Sequence, residues 1–144
     1  MELARKAFDG LVYAIDMKDA ACSLIKANSR KHGAYNLKVI QGAAPSALDG
    51  LPVPAKAFVG GTAGNMDGIL EKLLMLNPSI KLTVNVITLQ TLNRTMDCFE
   101  KRGVSNIDVI CVNIAKSKKV GVHDLMTAQN PIYIITGTGG GIYQ

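Results

Sequence analysis

The 144-residue sequence predicts an α/β protein with an open, mostly parallel sheet whose last strand pair is antiparallel, and three observations lead there. Short runs of strand-forming residues alternate with amphipathic stretches of helical length from the start of the chain. Glycines and prolines punctuate the boundaries between them. The rhythm stops before the final run, where no stretch of helical period separates two strand-like segments. Strands joined by crossover helices run parallel and carry helices on both faces of their sheet. A pair joined without a crossover helix runs antiparallel.

The elements follow in order. "LVYAID" (11–16) is a short run of strand formers that ends on a carboxylate. In the following "MKDAACSLIKANSRKHG", Ala21, Leu24, Ile25 and Asn28 fall at helical spacing, and Gly33 is a stop signal. "LKVIQG" (37–42) and "AKAFVGG" (55–61) are the next strands, separated by a short helical turn and a loop around Pro45, Pro52 and Pro54. Asn65 is placed to cap the helix after the glycines. The apolar face of that helix is Met66, Ile69, Leu70, Leu73, Leu74 and Leu76, and Pro78 ends it. "IKLTVNVIT" (80–88) is a long β-branched strand, and Thr88 is placed to cap a helix over 89–102. Its stripe is Leu89, Leu92, Met96 and Phe99, and it ends on Lys101, Arg102 and Gly103, as the helix dipole and the glycine preference after a C-terminus favour. "NIDVICVNIA" (106–115) and "PIYIITG" (131–137) are the last two strands. With neither internal repeat nor linker, a single domain over 1–144 is expected.

Composition narrows the function classes. Hydrophobic residues make up 48% and charged ones 19%, a globular balance. The longest apolar stretches, such as 69–76, contain charges and fall short of the roughly 20 residues that cross a bilayer. No cationic start followed by an apolar segment and a small-residue cleavage site is present, so a soluble cytoplasmic protein without membrane association is expected. Cys22, Cys98 and Cys111 are odd in number and lack CxxC spacing, which argues against disulfides and a zinc site. The net charge of +5 is spread along the chain, with Lys116, Lys118 and Lys119 as its one tight group. A solvated loop explains that group, and a patch for a small polyanionic substrate explains it as well. Nucleic acid is disfavoured because no aromatic residues interleave with it.

Catalytic constellations are missing. His32 stands just before a helix stop, and His123 beside Asp124 has no nucleophile near it. There is no GxSxG, no HExxH and no pair of carboxylates at helical spacing. No catalytic residue is identified and no metal is expected.

Two glycine-rich stretches stand out. "AFVGGTAGN" (57–65) ends in neither Gly-Lys-Ser/Thr nor GxGxxG, so it is no familiar phosphate loop. It does sit where ligands of open α/β sheets bind, beyond the carboxyl end of a strand and before a helix. Ligand approach and close helix–sheet packing fit its glycines equally. "GTGGG" (137–141) follows a strand with three residues left, too few for a helix, and is expected to be a flexible tail. Asp16 ends its strand where an acid either accepts from both hydroxyls of a ribose or caps the next helix. Gly42, Ala43, Ala44 and Pro45 close the next strand with small residues, against which a flat ring can lie. Together these strand ends suit an adenosine-containing cofactor.

"VYAIDMKDAACSLIKAN", "VIQGAAPSAL", "AFVGGTAGN", "LTVNVITLQTL" and "AQNPIYIITG" occur in the order and spacing of the decarboxylating precorrin methyltransferases of cobalamin biosynthesis. The chain resembles this family, the cobalt-precorrin or precorrin-6Y (carbon-15) methyltransferases, over essentially its whole length. The resemblance implies a class I, Rossmann-like fold that uses S-adenosylmethionine. It implies methylation of a corrin precursor at carbon 15 with loss of carbon dioxide from an acetate chain. Carried over residue by residue, Asp16 holds the ribose, and Ala43 and Ala44 border the adenine, Ala44 through its backbone. Gly60 and Gly61 border the methionine end, and Thr62, Gly64, Asn85 and Thr88 face the tetrapyrrole substrate. Family members form homotetramers, so a homo-oligomer is implied.

Two departures bear on activity. The position of Ala43 often holds an acid in related methyltransferases, which leaves adenine recognition to the backbone. In the family, a strand with a glycine-rich GxGxG turn and a helix precede "VYAID", whereas "MELARKAFDG" matches only the tail of that helix. An N-terminally truncated methyltransferase domain is therefore expected. A remnant that binds a tetrapyrrole or self-associates without methyl transfer is the second expectation.

Overall fold

The computed structural model describes residues 1–62 and 64–140. Strands and helices alternate as predicted through the helix Leu89–Lys101, within two compact units, Met1–Leu51 and Pro52–Gln144.

The first unit contains α1 (Glu2–Lys6), β1 (Val12–Asp16), α2 (Asp19–Lys31), β2 (Leu37–Gln41) and a 3-10 turn, Ser46–Leu48. β1 and β2 run parallel, with Asp16 opposite Gln41. α2 ends at Gly33, whose φ of 64° takes the left-handed conformation that glycine adopts without strain. Of the predicted α2 stripe, Ala21, Ile25 and Asn28 are half-buried, but Leu24 is 61% exposed. The fully covered positions are Cys22 and Ser29, whose hydroxyl donates to the Ala34 carbonyl at 2.7 Å. Asn36 ties the start of β2 to the N-terminal segment. Its Nδ2 donates to the carbonyls of Ala4, Ala7 and Gly10 at 2.9, 2.7 and 3.0 Å.

The second unit contains β3 (Lys56–Val59), α3 (Met66–Leu76), β4 (Lys81–Val86), α4 (Leu89–Lys101), β5 (Ser105–Val112), β6 (Ala115–Val120), β7 (His123–Ala128) and β8 (Ile132–Thr138). Its main sheet has the order β3-β4-β8-β5. β3 and β4 are parallel, and β8 is antiparallel to both β4 and β5, so β8 alone opposes the other three. The predicted antiparallel end is therefore observed.

The core of this unit lies on one sheet face. Leu82, Val84 and Val86 of β4 and Ile135 of β8 are buried there, in register with one another, as are five residues of α3: Met66, Ile69, Leu70, Leu73 and Leu74. Each such side chain contributes roughly 1.5–3 kcal/mol through removal from water. Of the predicted α4 stripe, Phe99 is buried, Leu92 and Met96 are half-buried and Leu89 is 62% exposed, and Thr95 and Cys98 are buried beside it. Thr95 is tolerated inside because its hydroxyl donates to the Thr91 carbonyl at 2.8 Å.

Four further expectations are corrected. The expected strand over 106–115 is two: β5 stops at Val112, and β6 begins at Ala115. The lysine-rich segment is not a loop but the first strand of an antiparallel hairpin, β6–β7, turned by Gly121 (φ 62°) and Val122. Helix cover on both faces fails at β5, where every residue but Val112 is exposed. The glycine-rich stretch after β8 is packed as far as it is described. Gly137 lies in β8, where a Cβ would stand 2.6 Å from Val104 Cγ1 and 3.0 Å from the Phe99 ring. At Gly139 and Gly140 a Cβ would meet the carbonyl oxygens of Pro78 at 2.1 Å and Gly103 at 2.2 Å. Gly141 lies outside the described residues.

Candidate functional site at the strand ends

In the first unit the candidate residues stand at the carboxyl ends of two adjacent parallel strands. One oxygen of Asp16, Oδ1, accepts from the backbone N–H of Lys18 at 2.8 Å, which fixes the carboxylate at the start of α2. Oδ2 makes no hydrogen bond among the described residues, so capping and ligand binding are compatible at this acid. The Asp16 carbonyl accepts from Gly42 N–H at 3.0 Å and from the Cys22 thiol at 3.4 Å, which pins the strand end. Gly42 packs closely, since a Cβ there would lie 3.0 Å from that of Ala47. Ala43 follows with its carbonyl accepting from Ala47 N–H at 2.9 Å, and Ala44 leads into the 3-10 turn. Asp16 and the stretch from Gly42 to Ala44 thus share one edge.

In the second unit β3 and β4 are paired with Val59 opposite Val84, so Gly60 leaves β3 beside Asn85 of β4. The packing alternative for the glycine loop is not supported. A Cβ on Gly60 would make an ordinary 3.5 Å contact with Phe58, and one on Gly61 would meet nothing within 4 Å. Gly64 has a φ of 89°, which makes it a turn residue, and Thr62 closes the same turn by accepting from Asn65 N–H at 2.9 Å. Asn65 stands at the N-terminus of α3 as predicted, but its side chain makes no capping bond. Ala63 lies outside the described residues. Asn85 projects from the sheet face opposite Leu82, Val84 and Val86, and its Oδ1 is buried without a hydrogen-bond partner among the described residues. The Thr88 hydroxyl accepts from Thr91 N–H at 3.2 Å and shares a 2.8 Å hydrogen bond with Thr91 Oγ1, so it holds the start of α4.

Sequence reasoning passed over Phe58, Thr83 and Thr136. Thr83 and Thr136 pair across β4 and β8 on the face that bears Asn85, and Phe58 pairs with Thr83 from β3 while 54% exposed. The signal was present as the alternation of Thr83 and Asn85 with Leu82, Val84 and Val86.

Two cavities lie away from these edges. One of about 280 Å³ in the first unit is lined by Arg5, Phe8, Tyr35 and Asn36. The other, about 240 Å³, is a charged crevice between α3 and α4. There Arg102 pairs with Glu71, and burial together with Asp67 raises the Cys98 thiol pKa above its ordinary value, against the lowering effect of Arg102. A neutral, buried thiol is a poor nucleophile. Among the described residues no group of His, Cys, Asp or Glu side chains could hold a metal ion, and no helix is long and apolar enough to cross a membrane.

The parallel strand pairs, the reversed β8 and the small residues at strand ends define a class I methyltransferase fold. A solved S-adenosylmethionine-dependent O-methyltransferase from Thermotoga maritima shares this fold with a TM-score of 0.74 at 15% identity, over 99% of this chain and 55% of that one. The profile of the precorrin methyltransferase domain matches residues 1–138, and the chain belongs to that family. It is similar to the crystal structure of a precorrin-6y C5,15-methyltransferase from Geobacter metallireducens, with a TM-score of 0.83 and 30% identity over 95% of this chain and 72% of that one. It is also 33% identical over 131 residues to a probable cobalt-precorrin-6B C(15)-methyltransferase (decarboxylating) of Saccharolobus solfataricus. That match covers 89% of this chain and 66% of the relative, so the chain spans just under two thirds of the relative's length.

Proposed function

We propose that this chain transfers a methyl group from S-adenosylmethionine to carbon 15 of a corrin precursor, with loss of carbon dioxide from an acetate side chain. The names of its relatives supply the reaction and substrate class. Within the chain, the observation that carries the proposal is the glycine loop: Gly60 and Gly61 have no neighbour that demands glycine, so their smallness serves something outside the fold. The free Asp16 oxygen fits a ribose, and the small residues Ala43 and Ala44 fit the adenine. A single methyltransferase domain over residues 1–144 belongs to the same proposal.

The cofactor, when bound, supplies an electrophilic methyl on a sulfonium. On transfer to carbon 15 the pair of the carbon–sulfur bond would stay with sulfur as a neutral thioether, so its departure would need no protein acid. Loss of carbon dioxide returns the pair of the broken carbon–carbon bond to the conjugated macrocycle. Neither step demands a protein acid of unusual pKa, so the residues of this chain act by positioning. Asp16 orients the ribose, the Gly60–Gly61 backbone permits close approach of the methionine end, and Thr62, Gly64, Asn85 and Thr88 border the substrate.

Calorimetric titration of S-adenosylmethionine, followed by assay of methyl transfer and carbon dioxide release with cobalt-precorrin-6B, tests this. Micromolar saturable binding with both products supports it. Macrocycle binding without methyl transfer would replace it by the non-catalytic alternative, and absence of cofactor binding would overturn it.

A homo-oligomer, with the tetramer as its expected form, belongs to the same proposal. β5, both hairpin strands and the turn between them expose apolar side chains, including Val122 of the turn at 87% and Met126 at 69%. Contiguous surfaces of that kind mark interfaces. Light scattering should give four times the 15.3 kDa chain mass, and Val122→Lys with Met126→Lys should lower it. A native mass of 15.3 kDa would refute assembly. A cytoplasmic compartment follows from the biosynthetic role.

A further inference from the structure

We infer that Asn85 is a binding residue that accepts a hydrogen bond from a nitrogen-bound hydrogen of the ligand, and thereby selects against a carboxylate at that point; this rests on the proposed function. A carboxamide has one acceptor oxygen and one NH₂ donor group. The Asn85 Oδ1 is buried and unpartnered, which costs the fold the desolvation of a polar oxygen. The neighbours explain why nothing in the sheet relieves it. Across β8 stands Ile134, which has no donor, and on the β3 side the chain continues as Gly60, which has no side chain. Asn85 is followed within three residues by the start of α4, and Gly60 opens the glycine loop, so the orphan oxygen lies at the strand ends where the ligand is proposed to bind.

The chemistry of the ligands restricts the donor. At neutral pH the carboxylates around a corrin precursor only accept, and would set oxygen against oxygen at Asn85. Asp16 takes the ribose hydroxyls, and the Ala43–Ala44 edge takes the adenine. Two N–H sources remain, the α-ammonium of the cofactor and the ring nitrogens of the macrocycle. Both present the same chemistry to Oδ1.

The test is Asn85→Leu and Asn85→Asp in the full chain, with thermal midpoints of the free proteins and calorimetric affinities for S-adenosylhomocysteine, 5′-methylthioadenosine and the macrocycle. Leucine has nearly the shape of asparagine and removes the unpartnered oxygen, so the free protein should melt at the same temperature or higher. Its affinity for the N–H ligand should fall roughly ten- to a hundred-fold, the effect of a hydrogen bond to a charged or desolvated group. Loss for S-adenosylhomocysteine without loss for 5′-methylthioadenosine, which lacks the ammonium, identifies the cofactor as donor. Loss for the macrocycle alone identifies the ring nitrogens. Aspartate keeps an acceptor there and should keep affinity for whichever ligand donates. A lowered midpoint in Asn85→Leu, or unchanged affinity for all three ligands, would overturn the inference while leaving the function intact. Failure of the native chain to bind any of the three would remove the function, and the inference with it.

Discussion

One added methyl group should have opposite effects at two glycines, Gly139 and Gly61. In Gly139→Ala the new Cβ is directed to within 2.1 Å of the Pro78 carbonyl oxygen and 2.8 Å of its carbon. Carbon atoms pack favourably at about 3.5–4.0 Å, so the backbone must retreat by more than an ångström. The same residue is anchored, because its N–H donates to the Ile80 carbonyl at 2.9 Å, and retreat weakens that bond. Overpacking costs about 1–3 kcal/mol, and the strained hydrogen bond about 0.5–1.5 kcal/mol. Together these are on the order of 2–4 kcal/mol. A chain of 144 residues unfolds with an entropy of about 0.3 kcal/mol/K, so the midpoint should fall by roughly 7–13 °C.

Gly61→Ala is the control for the same chemical change. Nothing stands within 4 Å of the added atom, and the backbone is not in the left-handed region. Loss of freedom in the unfolded chain should then stabilise by about 0.4–1 kcal/mol, a rise of no more than about 3 °C. The cost should be paid in binding instead, with S-adenosylmethionine affinity reduced about ten-fold or more, as expected when a side chain fills the space of a ligand. Differential scanning calorimetry and titration of both variants decide the matter. A midpoint for Gly139→Ala within about 2 °C of the native value would refute packing of the chain after β8. Unchanged affinity in Gly61→Ala would refute approach of the cofactor to the loop.

Asp16→Asn retains the Oδ1 acceptor for Lys18 N–H, so it should fold normally while cofactor affinity falls about ten- to a hundred-fold; equal affinity by titration would remove Asp16 from the site. Thr88→Ala should cost about 1 kcal/mol, near 3 °C, and Thr88→Ser almost nothing, because the hydroxyl caps α4. Equal midpoints for the two variants would contradict that role. The folded-state pKa of Cys98 is raised, so the folded protein resists ionisation of the thiol while the unfolded chain does not. Its contribution is fully present below the ordinary thiol pKa of 9.0 and is lost as pH rises above it. Denaturant midpoints should fall on the alkaline side, and Cys98→Ala should flatten that limb; a parallel decline in both proteins would exclude the thiol as cause.

Signals that act over a few residues were legible in the sequence. The α3 face, the Thr88 cap and the helix stops at Gly33 and Gly103 depend on spacing and local chemistry alone, and the structure reproduces them. The hairpin was not legible, because its strands carry lysines and apolar residues without a clean alternation; Lys116, Lys118 and Lys119 disguise β6 as a solvated loop. Only Gly121 signalled the two-residue turn. The α4 stripe is incomplete without Thr95 for a related reason. Polarity suggests that Thr95 faces water, but its bond to the Thr91 carbonyl lets it go inside. The packing of Gly139 and Gly140 rests on carbonyls 61 and 37 residues earlier, at Pro78 and Gly103, which no local pattern discloses.

The candidate site divides along the same line. Asp16 and Gly60 announce themselves because a carboxylate or a glycine at the end of a strand is unusual enough to need a reason. Asn85 does not, since an asparagine in a strand ordinarily hydrogen-bonds across the sheet or faces water. Its distinction arises only once β8 brings Ile134 to one side and β3 gives way to Gly60 on the other, so that the oxygen is buried with no hydrogen-bond partner among the described residues. Such an arrangement lowers the stability of the free fold, and a ligand N–H would relieve it. The substitution that melts higher and binds less is therefore the signature to look for. A residue kept only for stability cannot give that pair of results.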